Sequence, residues 1–331
     1  MTAIGDRPSA VKRRRALPLI VSQEVVLLIV IAAVWLVLSV VTSTFDTANN
    51  VGSVLYAVAP IAVIGVGMTA VMVTGGIDVS VGSQVAVVMV VVAKLFADLH
   101  ASLPVALVAA LLVGAVLGTI NGLLVAFGNI HPIVVTFGTL NIFRFLALQI
   151  FGDQQVDNVP GTAGWLGGSD LARTLGLPNA TWVAIVLVAL VWFYMRHAAT
   201  GRHLYALGGD MFAARLAGVS VRRRLVGVYI FTGVTAGLAG VMLVGSGGLV
   251  QQNVGTGLEL QVIATVVIGG TSVMGGRGTV FGTLLGAFLV ATIGGAVTHL
   301  QWPSELTSVF VGAFIVIAVG ADLARQRRRV R

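Results

Sequence analysis

The chain contains no cysteine and few charged residues. Of its 331 residues, 10% are charged and 57% are hydrophobic, whereas soluble domains are about 25% charged. The absence of cysteine excludes a disulfide framework, a thiolate metal site and a cysteine nucleophile. A lipid bilayer can hide so much apolar surface, because each spanning helix needs about 20 mostly apolar residues. The composition therefore predicts an integral membrane protein.

Sequence signatures of catalysis are also missing. The chain has no G-x-x-x-x-G-K-[ST] phosphate-binding loop, no H-E-x-x-H motif and no G-x-S-x-G motif, and its five histidines are scattered. Without the phosphate-binding loop, this chain is not expected to hydrolyse ATP by itself. We expect it to be no enzyme and to bind no metal or cofactor of its own.

The basic residues are clustered. Sixteen of the twenty Lys and Arg residues lie in three groups, with five in 7–15, six in 196–224 and five in 325–331. Basic clusters beside apolar segments are typical of cytoplasmic loops. They lack the basic-domain folds that nucleic-acid-binding proteins carry, so no nucleic-acid partner is expected.

Apolar segments separate the three basic groups. Six lie between the first group and the second, and four between the second and the third. Because both numbers are even, all three basic groups reach the cytoplasmic side. The prediction is an all-α, polytopic transmembrane helical bundle of about ten spans, with cytoplasmic N- and C-termini. The segments lie near 25–44, 51–74, 81–99, 104–127, 131–151, 180–195, 225–246, 258–275, 279–298 and 304–322.

This arrangement divides the chain into a transmembrane domain, 25–322, and two basic cytoplasmic tails, 1–24 and 323–331. The first apolar run exceeds a signal-peptide core and lacks an A-x-A cleavage pattern, so we interpret it as a permanent span. Residues 152–179 form the longest external loop, which is either a docking surface or a passive connector. Its acidic residues are Asp153, Asp157 and Asp170.

A polar, glycine-rich break interrupts the apolar sequence at 75–83, which reads GGIDVSVGS. Non-helical backbone inside a membrane is tolerated only where protein buries it or a watery cavity hydrates it. The segment therefore predicts a broken helix or a re-entrant turn beside a transport path that includes Asp78 and Ser80. Alternatively, Asp78 only caps the next helix at the membrane interface.

A second break, at 269–276, repeats the GG-x5-G spacing of the first. The GTxxG element at 118–122 likewise resembles the one at 282–286. Paired elements in two halves of a chain are typical of the internal repeats of transporters. The same elements fit small-xxx-small helix contacts, together with Gly114, Gly233 and Gly237.

Several polar side chains fall within the predicted spans, where a charge is costly unless it faces a partner or a cavity. Arg144 either hydrogen-bonds solute hydroxyls or holds two helices together. Glu259 and Gln261 lie at the outer start of the eighth predicted span, where an entering solute would pass. The predicted pathway residues are Asp78, Ser80, Asn121, Thr136, Asn141, Arg144, Glu259 and Gln261.

The second basic group contains a short predicted helix. Asp210 can cap a helix over 211–217, and Gly218 can end it. A short amphipathic helix exposed between spans needs a surface to lie on. That surface is either lipid headgroups or a soluble partner domain.

These segments resemble the permeases of bacterial ABC importers for ribose, xylose, galactose, rhamnose and the furanosyl autoinducer. The resemblance covers about 75–327. It rests on GGIDVSVGS at 75–83, NGLLVAF at 121–127, HPIVVTFGTLNIFR at 131–144, GRHLYALGGDMFAARLAGV at 201–219 and ELQVIATVVIGGTSVMGGRGTVFGTLLGA at 259–287.

The resemblance implies import of a sugar or sugar-like solute across the bacterial inner membrane by alternating access. The implied partners are two ATP-binding cassette subunits that use ATP and Mg, a periplasmic solute-binding protein, and a second permease copy or paralogue. Relatives often have Asn where this chain has Asp210, and Gly where it has Phe145. The residues that would contact the ATPase, in a coupling segment at 196–224, are Gly208, Gly209, Asp210, Ala213, Ala214, Arg215 and Gly218.

An alternative interpretation is an ion-coupled secondary transporter with Asp78 as its coupling carboxylate. Such a transporter would need no ATPase. A gated channel is the third possibility, but it requires a continuous polar pore, and the scattered polar residues give it little support.

Overall fold

The computed structural model describes residues 23–152, 163–167, 172–247, 250 and 253–330. Nearly all of the predicted N-terminal tail and the three loop residues Asp153, Asp157 and Asp170 lie outside the described residues.

Apolar helices make up most of the described chain. Eight are long and apolar enough to cross a membrane, and two further apolar helices are shorter, so the predicted all-α polytopic bundle is confirmed. The eight are α1 (Gln23–Val41), α2 (Ala48–Val73), α3 (Val81–Leu99), α4 (Leu103–Gly128), α5 (Pro132–Phe151), α7 (Asn179–His197), α10 (Val221–Gly247) and α12 (Val280–His299).

The two shorter apolar helices occupy the eighth and tenth predicted segments. Helix α11 runs only over Leu258–Ile268, and the rest of its segment is the irregular second glycine break. Helix α13 runs over Glu305–Val330, with its apolar part at Glu305–Ile317. The predicted C-terminal tail is therefore largely the end of α13.

Short helices and a two-stranded hairpin lie in the two predicted loops. Helix α6 (Gly164–Gly167) and the antiparallel strands β1 (Arg173–Thr174) and β2 (Leu177–Pro178) lie in 152–179. Helices α8 (Ala199–Gly209) and α9 (Met211–Leu216) lie in 196–224. The sequence predicts α9 but not α8.

The small elements mark two opposite ends of the bundle. Near α8 and α9 lie the last residues of α2 and the glycine break that precedes α12; we call this the α8–α9 end. The β1–β2 hairpin lies at the other end, where Thr181 Oγ1 donates to the Leu55 carbonyl at 3.2 Å.

Helix α2 is the centre of the core. Every residue from Val58 to Val73 is buried, against α7, α10, α11 and α12. A helix that is apolar on all sides is suited to this position, because it leaves no polar group without a partner. Helix α1 lies at the periphery, and most of its surface is exposed.

Helices α4 and α10 pack through glycines. Gly114 and Gly233 face each other so closely that a Cβ on either would overlap the carbonyl group of the other. Gly118 and Gly237 lie on the same seam, each against a main-chain carbonyl of the facing helix. Close backbone approach supplies the van der Waals contact that holds helices together in lipid. The predicted small-xxx-small contact is confirmed.

This seam predicts different effects for two equal substitutions in α10. Gly233→Ala should destabilise the fold by about 1–3 kcal/mol, because its methyl group overlaps α4. Gly227→Ala should be neutral or slightly stabilising, because a Cβ there meets nothing within 4 Å and Ala favours helices. Thermal unfolding of both variants in mild detergent tests this, and equal unfolding temperatures would contradict it.

Candidate transport site

Asp78 lies in a buried polar cluster between α2 and α3. Its Oδ1 accepts hydrogen bonds from the Ser80 backbone nitrogen at 3.0 Å and from Ser80 Oγ at 2.6 Å. Its Oδ2 accepts from Gln84 Nε2 at 3.0 Å and, more weakly, from Asn121 Nδ2 at 3.5 Å. All four side chains are fully buried. Such donors compensate the cost of removing a carboxylate from water.

The helix-capping alternative for Asp78 is only partly right. The residue before α3 is Ser80, whose side chain makes no capping hydrogen bond. Asp78 instead accepts from the backbone nitrogen two residues ahead, which is the geometry of an Asx turn. This turn directs the chain from the glycine break into α3.

Thr136 of α5 satisfies the backbone of the break. Its hydroxyl donates to the Ile77 carbonyl at 3.0 Å and accepts from the Val79 nitrogen at 3.2 Å. Thr136 is fully buried. This predicted pathway residue therefore holds non-helical backbone in place inside the bundle, as irregular segments in membranes require.

A second set of polar residues lies further towards the C-terminal end of α5. Arg144 Nη1 donates to the Val254 carbonyl, and its acidic neighbour is Glu259, on the first turn of α11. Glu259 Oε2 is buried beside Gly82 and has no hydrogen-bond partner among the described residues. Asn141, three residues before Arg144, is exposed and donates to the Phe137 carbonyl of its own helix at 2.9 Å.

The predicted pathway residues thus form two groups of different accessibility. Asp78, Ser80, Asn121 and Thr136 are fully buried, whereas Asn141 is exposed and the other three are partly exposed, namely Arg144, Glu259 and Gln261. Only the second group is accessible in this conformation. The sequence analysis missed Gln84, whose signal is an amide on the first turn of α3, directly before a long apolar run.

The two glycine breaks and α8 meet in a main-chain junction formed by Gly75, Gly208, Gly275 and Gly276. The Gly276 nitrogen donates to the Val73 carbonyl at 2.9 Å. A Cβ on Gly275 would lie 2.8 Å from the Gly75 nitrogen and 3.1 Å from Gly208 Cα, and one on Gly208 would overlap the Val73 carbonyl. The similar spacing of the breaks did not predict that they meet, or that α8 joins them.

Tyr205 gives α8 a second attachment to this region. Its hydroxyl donates to the Gly278 carbonyl at 3.0 Å. Burial raises the pKa of Tyr205, so the hydroxyl keeps its proton and remains a donor. Helix α8 is therefore fixed to the second break at two successive turns.

Helix α9 has the predicted capping. Asp210 Oδ1 accepts from the Ala213 nitrogen at 2.9 Å, and Gly218, with φ of 84°, follows the last turn. Ala214 is buried, so it packs inward and is not available to a partner. Gly208 is only partly exposed, because it lies in the glycine junction. The other predicted contact residues are exposed, namely Gly209, Asp210, Ala213, Arg215 and Gly218.

Large apolar side chains are exposed on α9, as an amphipathic helix requires, although the sequence analysis did not say which ones. Phe212 is 70% exposed, Leu216 is 74% exposed and Met211 is 41% exposed. Large apolar side chains exposed on one short helix are typical of an interaction surface. The signal was present as Met, Phe and Leu at 211, 212 and 216 around the inward-facing Ala214.

Comparison with known proteins places the chain in a class. A family model described as the permease component of branched-chain amino acid transport systems matches residues 50–319. The chain belongs to this family and is a membrane permease.

Its relatives include sugar permeases. The ribose import permease protein of Escherichia coli K12 is 33% identical over 306 residues, which cover 91% of this chain and 93% of the relative. The D-allose transport system permease protein of the same organism is 33% identical over 278 residues, 84% of each chain. A probable ABC transporter permease protein of that organism is 37% identical over 306 residues, 92% of this chain and 91% of the relative. No solved structure matches the chain.

The buried cluster predicts that Asp78 is needed for folding. Asp78→Ala should destabilise the protein by about 1–3 kcal/mol for each donor left without a partner. Asp78→Asn should also destabilise it, because its amide would face the amides of Gln84 and Asn121. The exposed Asp98 of α3 provides the control Asp98→Asn, which should be nearly neutral. Unfolding temperature and monodisperse yield are the measurements, and normal values for both Asp78 variants would refute the structural role.

Proposed function

We propose that the chain is the permease subunit of an ATP-driven importer that moves a sugar or sugar-like solute across the bacterial inner membrane. The observation that carries the proposal is the exposed apolar helix α9, which is joined through α8 to both broken segments of the membrane domain. The names of the ribose, D-allose and ABC transporter relatives support the solute class and the energy source.

The basic residues orient the permease. Six of them lie in 196–224, and loops rich in Lys and Arg stay in the cytoplasm. The α8–α9 end is therefore cytoplasmic, together with both termini. The opposite end, with the β1–β2 hairpin, faces the periplasm and receives a solute-binding protein.

Helix α9 is the contact for the ATP-binding cassette subunits, which use ATP and Mg. Interface energy is concentrated in a few large side chains that enter pockets of the partner. Phe212 and Leu216 are suited to that role because both project from a capped, well-anchored helix.

The glycine junction transmits movement of α9 to the membrane domain. When ATP draws the two ATPase subunits together, α9 and α8 move as one body. Because α8 contacts Val73, Gly275 and Gly276 through main-chain atoms, this movement shifts the ends of both broken segments. A cavity of about 430 Å³ between α9, the first break and the start of α5 gives α9 room to move. Rigid-body movement of this kind produces alternating access.

The solute path follows the exposed face of α5. An exposed amide in the middle of a span is costly in lipid, so Asn141 needs a polar neighbour. A second permease copy or paralogue supplies it, and the path runs between the two copies. Arg144 and Glu259 line the path and bind solute hydroxyls. Asp78 and its partners do not touch the solute but hold the backbone beside the path in place.

The ion-coupled alternative is less compatible with the geometry. A coupling carboxylate must exchange ions or protons with water during transport. Both oxygens of Asp78 are instead occupied by donors in a fully buried cluster.

Changes on the outer surface of α9 should uncouple transport without unfolding the permease. We expect Phe212→Ala and Leu216→Ala each to weaken binding of the ATPase subunit by about tenfold or more. Truncation of a central apolar side chain in an interface costs about 2 kcal/mol of binding free energy, and about 1.4 kcal/mol corresponds to a tenfold change. Leu175→Ala is the control, because Leu175 is 87% exposed but lies in the hairpin at the other end. Co-purification and basal ATPase assays with the ATP-binding subunit, without a solute-binding protein, measure this, and wild-type binding by both α9 variants would remove α9 from the interface.

The solute is tested by reconstitution. We expect the complex with its ATP-binding subunits to hydrolyse ATP faster when a binding protein loaded with one particular sugar is added. Ribose and D-allose are the first to test, alongside an amino acid as the contrasting class. If this chain alone moved solute into liposomes under a proton or sodium gradient without ATP, the proposal would be wrong and Asp78 would become the coupling group.

A further inference from the structure

A cleft of about 460 Å³ lies between α7 and α10 near the α8–α9 end. Its volume falls within the range of about 300–1,000 Å³ that is typical of ligand sites. Leu190 is 63% exposed on one wall, and a Cβ on Gly227 of the facing wall would meet nothing within 4 Å. The cleft is therefore open at the side of the bundle. Its other apolar walls and floor are Leu187, Val191, Val228, Phe231 and Ala70.

One end of this apolar cleft is positively charged. Arg223 and Arg224, on the first turn of α10, line it together with Tyr194 at the end of α7. Arg224 Nε is buried and has no hydrogen-bond partner among the described residues. Among the residues that the structure describes, no Asp or Glu lines the cleft. Two guanidinium groups, one of them with an unsatisfied donor, thus lie at one end of the apolar cleft, and the described chain provides no anion for them there.

We propose that the cleft binds one anionic phospholipid, with an acyl chain along the apolar walls and its phosphate at Arg223 and Arg224. Guanidinium groups bind phosphate oxygens with paired, charge-assisted hydrogen bonds. Basic pockets between spanning helices on the cytoplasmic side are suited to lipid headgroups. The assignment to the cytoplasmic leaflet rests on the proposed orientation, whereas the site itself does not.

The shape of the cleft favours a lipid over a soluble phosphate. A soluble phosphate compound would satisfy the arginines but leave the long apolar walls facing water. A phospholipid matches both parts, and the exposed Leu190 lies where its chain would join the surrounding bilayer.

The bound lipid would also contact α8. Leu204 of α8 lines the same cleft, three residues before the inward-facing Leu207 and four before Gly208 of the glycine junction. The lipid would therefore contact α7, α8 and α10 together and stabilise the packing of α8 on the other two helices.

Native mass spectrometry of the full-length chain released from nanodiscs tests the headgroup contact. The nanodiscs contain phosphatidylglycerol and phosphatidylcholine in equal amounts. We expect wild type to retain one phosphatidylglycerol, and Arg223→Gln and Arg224→Gln each to reduce its retention about fivefold, from roughly 1 kcal/mol per arginine. Arg222→Gln is the matched control on the same turn, because Arg222 lies over the Phe127 ring and does not line the cleft. An equal loss in all three variants, or equal retention of the two lipids by wild type, would overturn the proposal.

Gly227→Leu tests the acyl-chain contact independently. Its side chain enters open space in the cleft and should reduce phosphatidylglycerol retention about as much as loss of one arginine, with both arginines intact. Unchanged retention would show that no chain occupies the cleft. Millimolar inorganic phosphate should not displace the lipid, and displacement would identify a free-phosphate site instead. Neither result depends on transport, so failure here leaves the proposed function untouched.

Discussion

The requirement that every backbone polar group within a bilayer find a partner in the protein governs this structure. The chain leaves helical geometry before α3 and after α11, and both irregular stretches depend on neighbours for hydrogen bonds. Thr136 serves the carbonyl of Ile77 and the nitrogen of Val79, and the Val73 carbonyl receives the Gly276 nitrogen. The bundle must pack closely around these stretches, and its glycines make that approach possible.

Close packing also explains why the polar residues of the domain separate into two groups. Asp78 and its partners lie where α3, α4 and the first break meet. Three side chains there donate hydrogen bonds to one carboxylate. Arg144 on α5 and Glu259 on the first turn of α11 are instead only partly buried. Buried hydrogen bonds thus fix the first group in place, while incomplete coverage leaves the second group able to meet a solute.

Hydropathy predicts the spans well, because the cost of polar groups in lipid is large and local. The cap at Asp210 and the break at 75–83 are also local, and both could be predicted from neighbouring residues. The burial of α2 could not be predicted, since lipid and protein interior are equally apolar and leave no polar face to distinguish them. The pairing of Gly75 with Gly275, the anchoring role of Thr136 and the recruitment of Gln84 depend on contacts between distant parts of the chain, which no short pattern records.

The glycine junction has a consequence for how such permeases diversify. Its contacts are made by main-chain atoms, and main-chain atoms are the same whatever side chains surround them. Under the proposed function, residues along the solute path can therefore change chemical character without disturbing the junction that connects α8 to the membrane domain. One ATPase contact can then serve permeases for many solutes, while α5 and α11 vary with the binding protein that delivers each solute.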